Sequence, residues 1–296
     1  MSLNFLVRIL FATWLAVAPV AVAAKDVPAP AIWRIADEDT TIYLFGTIHI
    51  LEPRLKWRSR TLNRIIARAD ELVVESSDAD FAKLEVGLSE ELEAEIAIAR
   101  PPLIQRVAKN KRDSVRRTIA ESGMPEGMFD QLPTWMAVFA LGMGGITDGA
   151  TEEAGADSTL EQLFLKAGKP VVSVEDPNAV ITAIRKLPEA ELLRLLEDDS
   201  EAADEGAPPG AAGEDLEWAR GDVSGLADGL GEKDLGPALY GALIRNRNAA
   251  WTGWLVERMK RPGTVLFAVG AGHLVGPDSV QTMLAGRDVA SQRIDR

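Results

Sequence analysis

Four short apolar runs constrain the fold more than any other feature: "TIYLFG" (41–46), "ELVVESS" (71–77), "KPVVSVED" (169–176) and "GTVLFAVGAGH" (263–273). Each is of strand length, rich in β-branched or aromatic residues, and bounded by turn-forming or charged residues. Long stretches with apolar residues at helical spacing separate them. Strands that alternate with helices along a chain fold as α/β proteins, with part of the sheet parallel. The first run is preceded by "AIWRI" (31–35) across the acidic turn "ADEDT" (36–40), which predicts an antiparallel hairpin. The expectation is therefore an α/β fold, a mixed central sheet flanked by helices.

The intervening segments are read as follows. A helix is expected over about 59–69, then a largely α-helical insertion at about 80–150 in which no polar constellation suggests chemistry. "DSTLEQLFLKAG" (157–168) reads as a helix with Asp157 or Ser158 as N-cap and Gly168 at its end. One helical stretch is expected over 178–196, and a long helix over 239–261 with Leu239, Leu243, Trp251, Trp254, Leu255 and Met259 as its apolar positions. A helix over 277–285 and a final short strand in "DVASQRID" complete the series. Residues 197–215, rich in acid, Ala, Gly and Pro, are expected to form a mobile solvated loop.

Residues 1–24 carry Arg8, an apolar run and small residues at Ala21, Ala23 and Ala24, the three parts of a cleavable signal peptide. The expectation is a periplasmic or secreted protein with one domain over 25–296 and no membrane integration after cleavage. Its 296 residues contain no cysteine, so neither a disulfide nor a lipoprotein anchor is available. A formal net charge of −13 argues against nucleic acid as a partner.

Ligands gather outside the carboxyl ends of strands in open α/β sheets. If the four runs are parallel neighbours, the residues that follow them converge on one edge. Those residues include both histidines of the chain, each three positions after a glycine: His49 in "GTIH" and His273 in "GAGH". Glu75 ends one run, and Glu175 and Asp176 end another. Gly46, Gly270 and Gly272 are expected to supply sharp, positive-φ turns and to let a ligand approach the backbone. Two histidines and a carboxylate suit a divalent metal. His49, Glu75 and His273 are thus the expected metal set, activating a water to attack a carbonyl. A metal-free version has His49 as general base on water. Glu175 and Asp176 are either groups that orient a histidine or caps of the next helix.

Arg247 lies four residues before Trp251, on the same face of the expected helix. It points either inward to an acidic or oxyanion site or outward to a surface salt bridge, with Arg245 as the comparison residue. Trp251 and Trp254 are read as core. No phosphate-binding glycine motif and no H-E-x-x-H helix is present, so any metal site would be assembled from distant loops.

The paired "GTIH" and "GAGHLVGPDSV", together with "VVE", "GADSTLEQLFLKAGKPVVSVED" and "RNRNAAW", resemble the TraB/GumN family, which is related to the TIKI metalloproteases. The resemblance spans most of the chain after residue 24. It implies a TIKI/erythromycin-esterase/ChaN-like fold and a metal-dependent hydrolase site, peptidase-like, with manganese, cobalt or zinc as the metal. The site residues it implies are His49, Glu75, Arg247 and His273. The same resemblance admits two other functions. One is a non-catalytic periplasmic protein that binds a peptide, haem or another small ligand; the other is a metal-free, esterase-like hydrolase.

Overall fold

The computed structural model describes residues 29–142, 150–204, 214–227 and 230–294. The expected signal peptide at 1–24 lies outside the described residues. Six strands form one sheet: β1 (Ile32–Ala36), β2 (Thr40–Thr47), β3 (Glu71–Val74), β4 (Val171–Ser173), β5 (Gly263–Gly270) and β6 (Gln292–Arg293). Their order is β4-β3-β5-β2-β1-β6. β2, β5, β3 and β4 are mutually parallel, whereas β1 pairs antiparallel with both β2 and β6. The hairpin and the mixed sheet expected from the sequence are both present.

The longer helices are α1 (Arg60–Arg68), α2 (Asp78–Ile96), α3 (Arg112–Glu121), α4 (Thr134–Gly142), α5 (Ala156–Lys166), α6 (Pro177–Arg185), α7 (Glu189–Asp204), α8 (Asn246–Arg258) and α9 (Val280–Ala285), with shorter turns between some of them. β5 shows how the layers form. Leu266 and Ala268 face one side and pack with Leu62 and Ile65 of α1 and Leu160 and Phe164 of α5. Val265, Phe267 and Val269 face the other and pack with Trp251 and Leu255 of α8 and Leu284 of α9. This period-two alternation makes β5 a fully buried central strand. Helices α2 to α4 pack with α6 and α7 around a separate core that includes Leu92, Phe129, Trp135 and Ile184.

Three boundaries differ from expectation. The stretch 178–196 is two helices, because Pro188 disfavours helical backbone at Leu187 and α6 ends at Arg185. The start of the expected acidic loop, 197–204, continues α7, whose Leu192, Leu195 and Leu196 are buried. Residues 214–219 are helical as well, and 205–213 lie outside the described residues. The long helix over 239–261 is interrupted by a π-turn at Gly241–Arg245, after which α8 begins. Such turns often lie at functional sites. Among the described residues, no helix is long and apolar enough to cross a membrane.

Candidate active site at the parallel strand ends

The four parallel strands deliver their following residues to one edge. β2 leads to His49, β3 to Glu75, β4 to Glu175 and β5 to His273. The register sets Gly46 opposite Val269 and Thr47 opposite Gly270, so the two histidine motifs run side by side.

The motif glycines serve close approach. None of Gly46, Gly270 and Gly272 has a positive φ, contrary to expectation. A Cβ on Gly46 would fall 2.9 Å from Cα of Ala271. One on Gly270 would fall 3.2 Å from Glu75 Oε1 and 3.7 Å from His49 Nε2. The bare Gly270 backbone is the floor on which the carboxylate and the first histidine meet. Its N–H donates to Glu75 Oε1 at 2.7 Å.

Arg247 is buried, at 7% exposure, and points inward. All five of its N–H donors are engaged. Nε donates to Glu175 Oε2 at 2.9 Å, and Nη2 donates to Glu175 Oε1 at 2.6 Å and to Glu75 Oε2. Nη1 contacts the Leu243 carbonyl and His273 Nε2, each at 3.1 Å. The guanidinium also lies over the ring of Trp251, 4.8 Å from its centroid. With every donor in use, Arg247 positions Glu75, Glu175 and His273 and has no donor to spare for a substrate oxyanion. Arg245, by contrast, is a partly exposed residue paired with Glu232 and Asp278.

The buried amide of Asn248 fixes the tautomer of His273. Its Nδ2 donates to the carbonyls of His273 and Asp278, at 3.3 and 2.8 Å. Its Oδ1 is therefore the acceptor facing His273 Nδ1 at 2.7 Å, which places the imidazole proton on Nδ1. The Nε2 lone pair then accepts from Arg247. Burial, reinforced by the neighbouring Arg247 charge, pushes His273 down to about 3, so the ring is neutral at physiological pH.

His49 is held differently. Its Nδ1 lies 2.8 Å from Asp157 Oδ2, and Thr47 Oγ1 donates to Asp157 Oδ1 at 2.5 Å. Its Nε2 is buried without a hydrogen-bond partner among the described residues. Burial opposes the charge, but Asp157, and secondarily Glu75, outweigh it and raise His49 to about 9. His49 is thus an imidazolium with a free Nε2–H. The loop is clamped in place by the Ala156 N–H, which donates to the Ile48 carbonyl at 2.8 Å. Asp157 is not the N-cap of α5. Gly155 is, and Asp157 sits in the first turn, where the helix dipole favours a carboxylate.

Glu75 is 7% exposed. Burial would raise its pKa, but Arg247 and then the two histidines hold it down at about 2. Glu175 is raised, because burial outweighs its pairing with Arg247. Asp176, not Glu175, caps α6 by accepting from the Asn178 N–H. A cavity of about 100 Å³ opens beside these groups, lined by His49, Glu75, Asp78, Glu152, Asp157 and Glu161 among others.

His49, Glu75 and His273 therefore converge, but their donor atoms do not fit a three-ligand metal. His273 Nε2 is taken by Arg247, and both Glu75 oxygens already accept N–H groups. Only His49 Nε2 is free. Among the described residues no group of three or more His, Cys, Asp or Glu is arranged to hold a metal ion.

Three members of the site were missed or misread as sequence: Asp157, taken for a cap, and Asn248 and Glu161, not singled out. All three sit within the quoted blocks, Asp157 and Glu161 in "GADSTLEQLF" and Asn248 in "RNRNAAW", so proximity to a motif was the available signal.

The fold and site define an α/β protein with a buried Arg–carboxylate–histidine cluster and a second, charged histidine at the carboxyl ends of its parallel strands. The chain belongs to the TraB/PrgY/gumN family, whose model matches residues 31–293. Among curated proteins, no match to the chain is found.

Proposed function

We propose that this protein is an exported hydrolase of acyl bonds, acting on a peptide or a small ester or amide, in which His49 is the proton-transfer residue. One observation carries the reading: a buried imidazole nitrogen without a partner, backed by a carboxylate, beside a cavity at the sheet edge. A histidine held by Asp157 through Nδ1 has its Nε2 committed to whatever enters that cavity. As an imidazolium it donates a hydrogen bond to the carbonyl oxygen as charge develops there, and then gives its proton to the leaving group. This reverses the direction of transfer expected of a general base. Glu75, kept ionised by Arg247, stabilises the imidazolium between turnovers.

The resemblance to the TIKI metalloproteases supports acyl-bond hydrolysis. Their metal chemistry is not carried over, because His273 Nε2 faces Arg247 and both Glu75 oxygens already accept N–H groups. Export is supported by the leader-like composition of residues 1–24.

The test is turnover of p-nitrophenyl acetate and of a fluorescence-quenched peptide library by wild type and His49→Gln. The expected outcome is a loss of roughly 10²-fold or more in the variant, with wild-type activity resistant to EDTA. A variant as active as wild type would overturn the hydrolase reading. Activity abolished by EDTA and restored by manganese, cobalt or zinc would overturn the metal-free mechanism and reinstate the metal set.

A further inference from the structure

One buried acid on the cavity wall has no part in the chemistry above. Glu161 lies in α5 one turn after Asp157 and is 7% exposed. Both of its oxygens stand 3.3 Å from the backbone N–H of Asp78, and among the described residues no Lys or Arg pairs with it. The groups around it are mostly acids: Asp78 and Asp80 at the start of α2, with Lys83 engaged on Asp80, and Asp157 on its own helix. Glu75, Glu152 and His49 share the cavity lining. A carboxylate desolvated among like charges is a stronger base than one in water. Burial, with Asp78 adding to it, raises Glu161 to about 7.

We propose that Glu161 is the general base that deprotonates the attacking water, opposite His49 as the acid. The inference rests on the hydrolase reading. A Glu161 oxygen takes the proton of water as the water oxygen bonds to the acyl carbon. The carbonyl electron pair moves onto an oxygen that accepts from His49 Nε2–H. Collapse of this adduct breaks the bond to the leaving group, which takes the proton from His49. Glu161 returns its proton to solvent and His49 regains one. The net reaction consumes one water and yields an acid and a protonated leaving group, with no oxidant or reductant. Glu161 is ionised above about pH 7.

The experiment follows p-nitrophenyl acetate hydrolysis by wild type, Glu161→Ala, Glu161→Gln and His49→Gln over pH 5–10, with thermal melts of each. Glu161→Ala is expected to lose roughly 10²- to 10⁴-fold in kcat. Sodium formate, which can occupy the gap left by the side chain, is expected to restore at least about tenfold of it. Glu161→Gln fills the gap, so it is expected to gain nothing from formate and to lose the decline in kcat/KM below about pH 7.

A Glu161→Ala rate within about threefold of wild type overturns the assignment, as does an inactive, stably folded variant that formate leaves inactive. Persistence of the acidic decline in Glu161→Gln also overturns it. If His49→Gln is inactive while Glu161→Ala is not, only this inference falls. If wild type hydrolyses no probe, the hydrolase reading falls and this inference with it.

Discussion

Replacing Arg247 with Met keeps most of the side-chain volume and removes the charge that holds two buried carboxylates. Glu75 loses the partner that keeps it at about 2 instead of the ordinary 4.5. At about 1.4 kcal/mol per pH unit, that depression corresponds to roughly 3 kcal/mol at neutral pH. Glu175 is stranded as well, with only Trp251 Nε1 still donating to it. Breaking a buried pair by removing one partner costs roughly 3–5 kcal/mol in general, so the two arguments agree. Because the pKa of Glu75 is depressed in the folded protein, its contribution is complete above about 4.5 and disappears as pH falls through about 2. Urea unfolding of wild type and Arg247→Met, followed by tryptophan fluorescence, should show a loss of roughly 3–5 kcal/mol at pH 7 that shrinks steadily below pH 4.5. The double variant Glu75→Gln/Arg247→Met should cost less than the sum of the single changes, because they share one contact. A loss below about 1 kcal/mol, or one indifferent to pH, would refute the reasoning.

Four further outcomes are expected. Asp157→Asn removes the carboxylate behind His49, so its titration, followed by imidazole NMR, should fall from about 9 and take the alkaline limit of activity with it; a His49 still titrating at about 9 would contradict the pairing. Asn248→Asp places a carboxylate on His273 Nδ1, and the same spectra should show His273 titrating well above about 3. Gly155→Ala would set a Cβ 2.0 Å from the His49 carbonyl oxygen. It should destabilise by roughly 1–3 kcal/mol and displace the histidine, with lost turnover. Arg245→Ala should leave turnover within about twofold of wild type, since its partners Glu232 and Asp278 lie outside the cavity lining.

The convergence of His49, Glu75, Glu175 and His273 was legible because a parallel strand delivers whatever follows it to a known edge. The direction of Arg247 was half legible: its four-residue offset from Trp251 places it on that helical face, but left a surface salt bridge as the alternative. Protonation was not. Asp157 and His49 are 108 positions apart, and they meet through long-range contacts, the Ala156 N–H to the Ile48 carbonyl and the close approach of Gly155 to the His49 backbone. The loss of His273 as a free donor depends on an amide one residue beyond Arg247, whose orientation follows from two distant carbonyls. The break at the π-turn was hidden for a related reason, whereas Pro188 marks its own boundary in the sequence. Apolar periodicity runs through the π-turn, so the spacing alone reports the face and not the break.

The position of β5 has a consequence for how the molecule comes into being. It lies between β2 and β3 in space, yet it is the fifth of six strands in the chain. A chain emerging amino end first presents two separate pairs, β1–β2 and β3–β4, with their central partner still unmade. Half of the cluster (Arg247, Asn248, Gly270 and His273) arrives only with that last segment. Until then Glu75 has neither its cation nor its floor, and the chain passes most of its synthesis without the assembled cluster.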